Sequence, residues 1–299
     1  MNKEIIASSF KLLQEQICFE LESMDGKSFF RSDEWVREEG GGGRTNTITN
    51  GQIIEKGGVA YSAVYGPVSD AMTKQLGMSN GDFFATGISI VLHPINPHNP
   101  IIHMNVRYFE LDNGTYWFGG GIDLTPHYIV KEQATKFHQR LKTICDSVDV
   151  EFYAKHKAWA DDYFYIPHRG ESRGVGGVFF DHLSESNTAL SKEQLFLYCK
   201  SLASSFVSIY SEQVVLGKDL AYSEDQLVWR NLRRGRYVEF NLVHDRGTKF
   251  GLYSGGRTES ILMSLPPLAN WEYDYKPENG SKEAETLELL KLKIDWLNS

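Results

Sequence analysis

The chain has 299 residues, of which 41% are apolar and 23% are charged. This composition is typical of a folded protein with a sizeable core, and it excludes intrinsic disorder, collagen-like repeats and a coiled coil. The formal net charge of −8 argues against a nucleic-acid partner, because duplex binding usually needs a basic face. The three cysteines stand far apart and in no paired motif, which excludes a disulfide framework and a cysteine-held iron–sulfur cluster and favours a reducing compartment.

The sequence shows no targeting signal and no membrane segment. The N-terminal stretch lacks the order of charged, apolar and small residues that marks a signal peptide, so we expect a cytoplasmic protein. Residues 83–106 are uncharged, but their prolines and histidines would be costly in lipid, so no membrane span is expected. Because no repeat or long linker divides the sequence, we predict a single domain over residues 1–299.

A helix begins the chain and a run of strands follows it. Apolar residues spaced three and four apart predict an amphipathic helix over residues 6–21, which stops at Asp25 and Gly26. Alternating and β-branched residues then predict strands at 59–65, 86–93, 101–110 and 115–118.

The apolar period changes to that of helices after residue 130. We predict helices over 137–148 and 150–163, and a capping box at Ser191 and Gln194 opens a long helix toward Gly217. The C-terminal part predicts a closing helix over 287–297 and, before it, strands at 236–244, 248–253 and 258–265, the first two joined as a hairpin. Strands joined in hairpins indicate antiparallel pairing, so the predicted fold class is α+β with a large sheet, one face of which is available for chemistry.

Polar residues share one face of two neighbouring predicted strands. Ser89 and His93 point one way on the first strand, and His103, Asn105 and Arg107 share one face of the second. A short connection makes the two strands antiparallel neighbours, so these five side chains are expected on one surface. A solvated outer face remains an alternative, but plain surfaces favour long charged residues, and this set contains no lysine or glutamate.

Three glycine-rich stretches have both a structural and a functional interpretation. The glycines at 119–121 before Asp123 favour a tight turn over a platform for a flat ligand. Those at 40–43 predict a flexible loop or an anion-binding lid. Residues 251–258 are one substitution from a P-loop, but Arg257 replaces the phosphate-reaching lysine and a strand-like segment follows, so we reject a nucleotide site. What survives is a turn that could present Arg257 to a carboxylate.

Histidines and arginines are further candidates. His93, His103, His138 and His168 could ligate a divalent metal, but they show no diagnostic spacing, and each is more often structural. Six arginines give local positive charge and are expected mostly at the surface: Arg169, Arg173, Arg230, Arg233, Arg234 and Arg236.

Five blocks of sequence, in order over most of the chain, carry a family resemblance. They read GISIVLHP at 87–94, HMNVRYFE at 103–110, WFGGGIDLTP at 117–126, DDYFYIPHRGESRGVGGVFFD at 161–181 and YVEFNLVHDRGTKFGLYSGGRTESILMSLPP at 237–267. With these blocks the chain resembles the oxygen-dependent coproporphyrinogen III oxidases. The resemblance implies a large, flat antiparallel sheet sandwiched between helices, and a homodimer formed through about residues 237–272. It implies oxidative decarboxylation of two propionates of coproporphyrinogen III to vinyl groups, giving protoporphyrinogen IX in haem biosynthesis, with O₂ as the co-substrate.

The resemblance also implies roles for single residues. His103 would be the proton donor and Asp123 would face the pyrrole nitrogens, and our hypothesis is that Arg107 assists Asp123. The implied substrate contacts are Ser89, Asn105, Val106, Arg107, Gly255, Gly256 and Arg257. The implied metal ligands, proposed for bacterial members, are His93, His103, His138 and His168.

Two other functions stay open at this point. A tetrapyrrole carrier without catalysis would need the arginines but not Asp123 and His103, whose presence favours an enzyme. An oxygenase built on the four histidines would need a stoichiometric metal. We expect no organic cofactor, since the sequence has no dinucleotide-binding fingerprint and an electron-rich pyrrole can react with O₂ once its N–H is polarised.

Overall fold

A seven-stranded antiparallel sheet forms the centre of the fold. The structure is a computed structural model that describes residues 1–68, 73, 81–253 and 256–298. The strands of the sheet are β1 (Arg31–Val36), β2 (Gly41–Thr49), β3 (Ile54–Pro67), β4 (Asp82–Pro94), β5 (Ile101–Leu111), β6 (Tyr116–Thr125) and β9 (Gly177–Leu183). A separate two-stranded pair consists of β7 (Tyr165–Ile166) and β8 (Glu171–Ser172). The order across the large sheet is β1-β2-β3-β4-β5-β6-β9.

Helices precede and follow the strands, which confirms the predicted α+β class. They are α1 (Lys3–Asp25), α2 (Lys131–Asp146), α3 (Phe152–Tyr163), α4 (Lys192–Ser204), α5 (Phe206–Val214), α6 (Glu224–Glu239), a π-helix (Phe240–His244), α7 (Arg246–Tyr253), α8 (Thr258–Leu262) and α9 (Lys282–Leu290). Helix α1 ends where the sequence predicts, because Gly26 takes the left-handed conformation, with φ at 75°, and closes the last turn. Among the helices of the described residues, none combines the length and apolarity that a membrane crossing requires.

One face of the sheet forms the main hydrophobic core. Ile90 of β4 and Met104 of β5 are fully buried there, together with Phe10 of α1 and Phe196 of α4. Strand geometry turns alternate residues to this face, which leaves the residues between them for the other face. Burial of each such side chain stabilises the fold by about 1.5–3 kcal/mol, so the register of β4 and β5 is firmly set.

The second face of the sheet carries polar residues and lies under the C-terminal helices. Thr45 of β2 shares a hydrogen bond of 2.8 Å with Ser260 of α8. Gly58 of β3 leaves space for Met263, since a Cβ at residue 58 would lie 2.2 Å from the Met263 sulfur. The sheet therefore lies between two layers of helices, as the family resemblance implies.

Residues 236–244, 246–253 and 258–262 lie in helices, so the three C-terminal strands and their hairpin are wrong predictions. Helix α6 and the π-helix replace the first strand, and α7 and α8 replace the other two. The apolar pattern is misleading because the buried side of α6 includes Arg230, Arg233 and Arg234, which are 0–4% exposed. These arginines are also not at the surface, contrary to prediction. Apolar periodicity cannot detect a helix face that is buried through charged side chains.

Other local predictions also differ from the structure. Residues 41–43 lie in β2 between β1 and β3, so a flexible loop or lid there is wrong. The glycines at 119–121 lie inside β6, which continues to Thr125, rather than in a turn. The long helix predicted from Ser191 breaks into α4 and α5 at Ser205, and the last helix ends at Leu290.

Candidate active site

Polar side chains of β4 and β5 line a cavity between the sheet and the C-terminal helices. Ser89 lies directly opposite Asn105 in the register of the two strands. Both residues, with His103 and Arg107, border a cavity of about 210 Å³ whose opposite wall includes Tyr237. Four of the five side chains predicted to share this surface therefore border the cavity, whereas the fifth, His93, is fully buried and is not part of the cavity lining. We call this side of the sheet the cavity face.

Asp123 is buried beneath the cavity and is held by two neighbours. His103 stands opposite Asp123 in the register of β5 and β6, and its Nδ1 lies 2.8 Å from Asp123 Oδ1. Arg173 donates to both carboxylate oxygens, from Nη2 to Oδ1 at 2.6 Å and from Nε to Oδ2 at 3.1 Å. Asp123 and Arg173 are each 2% exposed. His103 and Arg173 border the cavity, whereas Asp123 lies behind them.

The neighbours of Asp123 decide its charge and the tautomer of His103. Burial raises the pKa of Asp123, but the Arg173 guanidinium and the hydrogen bond from His103 outweigh burial and hold the pKa below its usual value. Asp123 is therefore ionised at neutral pH. Because a carboxylate only accepts, Nδ1 of His103 donates to it, and Nε2 is the nitrogen that can exchange a proton with a molecule in the cavity. A carboxylate that orients an imidazole in this way suits general acid–base chemistry.

Arg173 is a site residue that the sequence analysis missed, since it was expected at the surface. Its guanidinium carbon lies 4.5 to 4.7 Å from the ring centres of Phe164, Tyr237 and Phe240, and its Nη1 donates to Asn241 at 2.8 Å. The one local signal is Gly174. A Cβ there would lie 2.1 Å from a carbonyl oxygen of β6, so only glycine lets Arg173 approach Asp123 so closely.

Arg107 is paired with Asp181 and not with Asp123. Its Nη2 lies 2.7 Å from Asp181 Oδ2, so the hypothesis that Arg107 assists Asp123 is wrong, and Arg173 takes that place. Gly119 gives this pair its space, because a Cβ at residue 119 would lie 2.6 Å from Asp181 Oδ1 and 2.8 Å from Arg107 Nε. The Arg107 side chain is 38% exposed, which leaves it within reach of an anionic group.

Comparison with known proteins shows the family. The sequence model described as coproporphyrinogen III oxidase matches residues 5–296. The chain belongs to the coproporphyrinogen III oxidase family. It is 47% identical over 299 residues to the oxygen-dependent coproporphyrinogen-III oxidase, mitochondrial, of Homo sapiens, a match that covers 95% of this chain and 65% of the human protein. Proteins of the same name from Rattus norvegicus and Mus musculus are 47% and 46% identical, each over 95% of this chain and 67% of their own length. The chain thus spans about two thirds of the length of these relatives.

The other substrate contacts implied by the family pattern fall at different places. Val106 is fully buried in the core on the other side of the sheet, so its side chain cannot line the cavity, because strand residues alternate between faces. Gly255 lies outside the described residues. Gly256 donates its N–H to the carbonyl oxygen of Gly251 at 2.8 Å. Arg257 binds Asp33 at 2.5 Å, one turn before Ser260 at the cavity wall.

Asn105 offers an acceptor to a ligand in the cavity. Its Oδ1 is buried and has no hydrogen-bond partner among the residues that the structure describes, although its side chain borders the cavity. A buried amide oxygen without a donor costs about 1–3 kcal/mol. If the Asn105 amide turned its oxygen toward the cavity, a ligand N–H would remove that cost, so Asn105 fits a ligand that carries N–H donors.

The four histidines of the implied metal site do not converge on one point. His93 is fully buried and bonds through Nε2 to the Ser264 carbonyl oxygen at 2.8 Å. His138 bonds to the Val175 carbonyl oxygen, and His168 to Glu239 Oε2 at 2.8 Å, while His103 bonds to Asp123. Within residues 1–68, 73, 81–253 and 256–298, no group of three or more histidine, cysteine or acidic side chains is arranged to hold a metal ion. These residues therefore do not fit a shared metal site.

Proposed function

We propose that this protein is an oxygen-dependent coproporphyrinogen III oxidase, which converts two propionates of coproporphyrinogen III to vinyl groups and gives protoporphyrinogen IX. Membership of the family and the names of its relatives support this activity. The observation that carries the proposal is the His103–Asp123–Arg173 cluster, with His103 and Arg173 at the cavity wall. A carrier without catalysis would have no use for this buried cluster.

The cavity face suits a flat substrate with N–H donors and several carboxylates. Its centre bears small residues, since Gly119 and Gly121 of β6 carry no side chain and Ser89 of β4 is short. A pyrrole N–H would meet the Asn105 oxygen once the amide turns from its buried position toward the cavity. The Arg107 guanidinium would bind a propionate, because its planar donors match a carboxylate.

The chemistry removes CO₂ and two electrons from each propionate. For each vinyl group, the propionate and one O₂, with one proton, give CO₂ and hydrogen peroxide. The substrate must exchange a pyrrole proton in the process. His103 Nε2 would take and return that proton, while the Asp123 carboxylate holds the ring and stabilises its charged form. The positive charge of Arg173 keeps Asp123 ionised without competing for the substrate.

We also infer a homodimer formed through residues 237–272, as the family resemblance implies. This segment exposes large apolar side chains, among them Leu242, Val243, Leu268 and Trp271, which are 44–58% exposed. Exposed apolar side chains grouped in one segment favour an association surface. Sedimentation should give twice the monomer mass, and a Leu268→Glu variant should shift the protein toward monomer.

The cytoplasmic location of the protein stays a prediction. All three cysteines, Cys18, Cys145 and Cys199, are free and buried, which fits a reducing environment. The named relatives are mitochondrial proteins.

The test of the activity is incubation of purified, metal-analysed protein with coproporphyrinogen III in air and under nitrogen, with and without a chelator. We expect protoporphyrin fluorescence, after oxidation of the product, only in air, and turnover that survives the chelator. Tight substrate binding with no product would identify a carrier. Activity lost to the chelator and restored by a metal would favour the histidine-based oxygenase.

A further inference from the structure

The loop that carries Arg173 is hydrogen-bonded to β6 beside Asp123. The Arg173 N–H donates to the Phe164 carbonyl oxygen at 2.9 Å, and the Val175 N–H donates to the Leu124 carbonyl oxygen at 3.0 Å. These two bonds fix the backbone from which the Arg173 side chain extends. The long arginine side chain still needs a fixed backbone, because its two bonds to Asp123 depend on both distance and angle.

The carbonyl oxygen of Val175 accepts two hydrogen bonds, both from buried side chains. Nε2 of His138 lies 2.9 Å from it and Nε1 of Trp296 lies 3.0 Å from it. His138 is fully buried and Trp296 is 4% exposed. A carbonyl oxygen has two lone pairs, so it can accept both bonds fully. The backbone two residues after Arg173 is therefore held by one helix residue and one residue near the C-terminus.

Trp296 is itself anchored to two helices. Its carbonyl oxygen accepts a hydrogen bond of 2.7 Å from the Thr135 hydroxyl of α2. Two residues earlier, the Ile294 carbonyl oxygen accepts from Nζ of Lys157 on α3 at 2.8 Å. Lys157 is also paired with Asp161 at 2.5 Å. These hydrogen bonds restrain the backbone on both sides of the indole. The indole N–H in turn restrains the Val175 carbonyl oxygen in the loop that carries Arg173.

We propose that Trp296 is a positioning residue that holds the Arg173–Asp123 pair in its bidentate geometry. Loss of the indole N–H would let the Val175 carbonyl move and would loosen Arg173. A shift of about 1 Å in a catalytic group can cost about 100-fold in rate. The residues proposed to bind substrate, Asn105 and Arg107, both lie on β5, whereas the hydrogen bonds of Trp296 go to Thr135 and Val175. We therefore expect loss of turnover with little change in substrate affinity. The catalytic consequence rests on the proposed function.

The test compares Trp296→Phe with a matched control, Trp229→Phe. Trp229 is 2% exposed and its Nε1 also donates to a backbone carbonyl oxygen, that of His127, at 2.7 Å. Each variant thus removes one buried indole hydrogen bond and keeps an aromatic ring, so both should lose similar stability. Trp296→Phe should lower kcat about tenfold with KM within about twofold. Trp229→Phe should leave both constants within about twofold.

An activity-independent measurement separates this inference from the proposed function. In protein labelled with ¹⁵N-arginine, the Nε–H resonance of Arg173, assigned with an Arg173→Lys variant, reports its bond to Asp123. We expect this resonance to shift or broaden in Trp296→Phe and to stay in place in Trp229→Phe, whether or not the protein oxidises coproporphyrinogen. If Trp296→Phe does not fold, Thr135→Val, which removes the anchor of the Trp296 carbonyl, should give the same spectral change at smaller size.

Two results would overturn the inference. One is an unchanged Arg173 resonance and unchanged kcat in Trp296→Phe. The other is an equal change in Trp229→Phe, which would show that general loss of stability is the cause. If the wild-type protein had no oxidase activity, but the Arg173 resonance still shifted in Trp296→Phe and not in Trp229→Phe, the proposed function alone would be overturned.

Discussion

Replacement of Arg173 by methionine should expose how strongly the buried charge pair depends on both partners. Arg173 and Asp123 are each 2% exposed and form two hydrogen bonds. Arg173→Met keeps much of the side-chain volume between its three aromatic neighbours but leaves the Asp123 carboxylate buried without its cation. Removal of one partner from a buried pair destabilises a protein by about 3–5 kcal/mol. We expect a loss in that range at neutral pH.

The assay is urea unfolding of the wild type, Arg173→Met, Asp123→Asn and the double variant, followed by fluorescence. The double variant has no unpaired buried charge. Its loss should therefore be smaller than the sum of the two single losses by about 2 kcal/mol or more. The sign of this difference matters more than its size, because Arg173→Met also removes the hydrogen bond to Asn241 and the cation–π contacts with the three rings.

Two results would refute this reasoning. If Arg173→Met lowered the free energy of unfolding by less than about 1 kcal/mol, the Asp123 carboxylate would not depend on the arginine for its charge. If the losses of the single variants simply added, the two side chains would act independently, contrary to their 2.6 Å contact.

Two further predictions concern a buried carboxylate of the fold and a glycine beside the Arg107–Asp181 pair. Asp25 accepts backbone N–H bonds from residues 52, 53 and 54, which outweigh the effect of burial and lower its pKa. Because the folded-state pKa is depressed, this stability is present above about pH 4 and is lost as the pH falls through the folded value. In urea unfolding, Asp25→Asn should cost about 2–4 kcal/mol near pH 7, and this cost should decline as the pH falls below about 4. Gly119→Val should force apart Arg107 and Asp181 and raise KM about tenfold with a smaller change in kcat, in steady-state kinetics; an unchanged KM would contradict the carboxylate-binding role of Arg107.

The strands that line the cavity could be predicted because polar and apolar residues alternate along them with the two-residue period of a β-strand. Ser89, His103, Asn105 and Arg107 share a face by simple alternation, and the core residues between them are apolar. The family blocks named His103 and Asp123. Their direct opposition follows only from the full length of β6, because the residue pattern predicts that strand only to residue 118.

The residues that complete the site could not be predicted from local pattern. Arg173 lies in the loop between β8 and β9, and apart from Gly174 the nearby sequence does not indicate that β6 and three aromatic rings enclose it. Apolar periodicity does not reveal the end of α6 as a helix because Arg230, Arg233 and Arg234 form its buried face. Their counter-charges, Glu55 and Glu171, are far away in the chain. Burial of charge depends on partners that only the tertiary fold brings together.

The most direct test of the proposed site is a paired measurement on Asp123→Asn, of coproporphyrinogen III affinity and of turnover in air. Asparagine keeps the size of Asp123 but removes the charge that holds His103 and pairs with Arg173. We predict that kcat falls by about 100-fold or more while the dissociation constant changes less than about threefold. Equal losses in turnover and affinity, or full turnover without the carboxylate, would contradict the assignment of His103 and Asp123 to the chemical step.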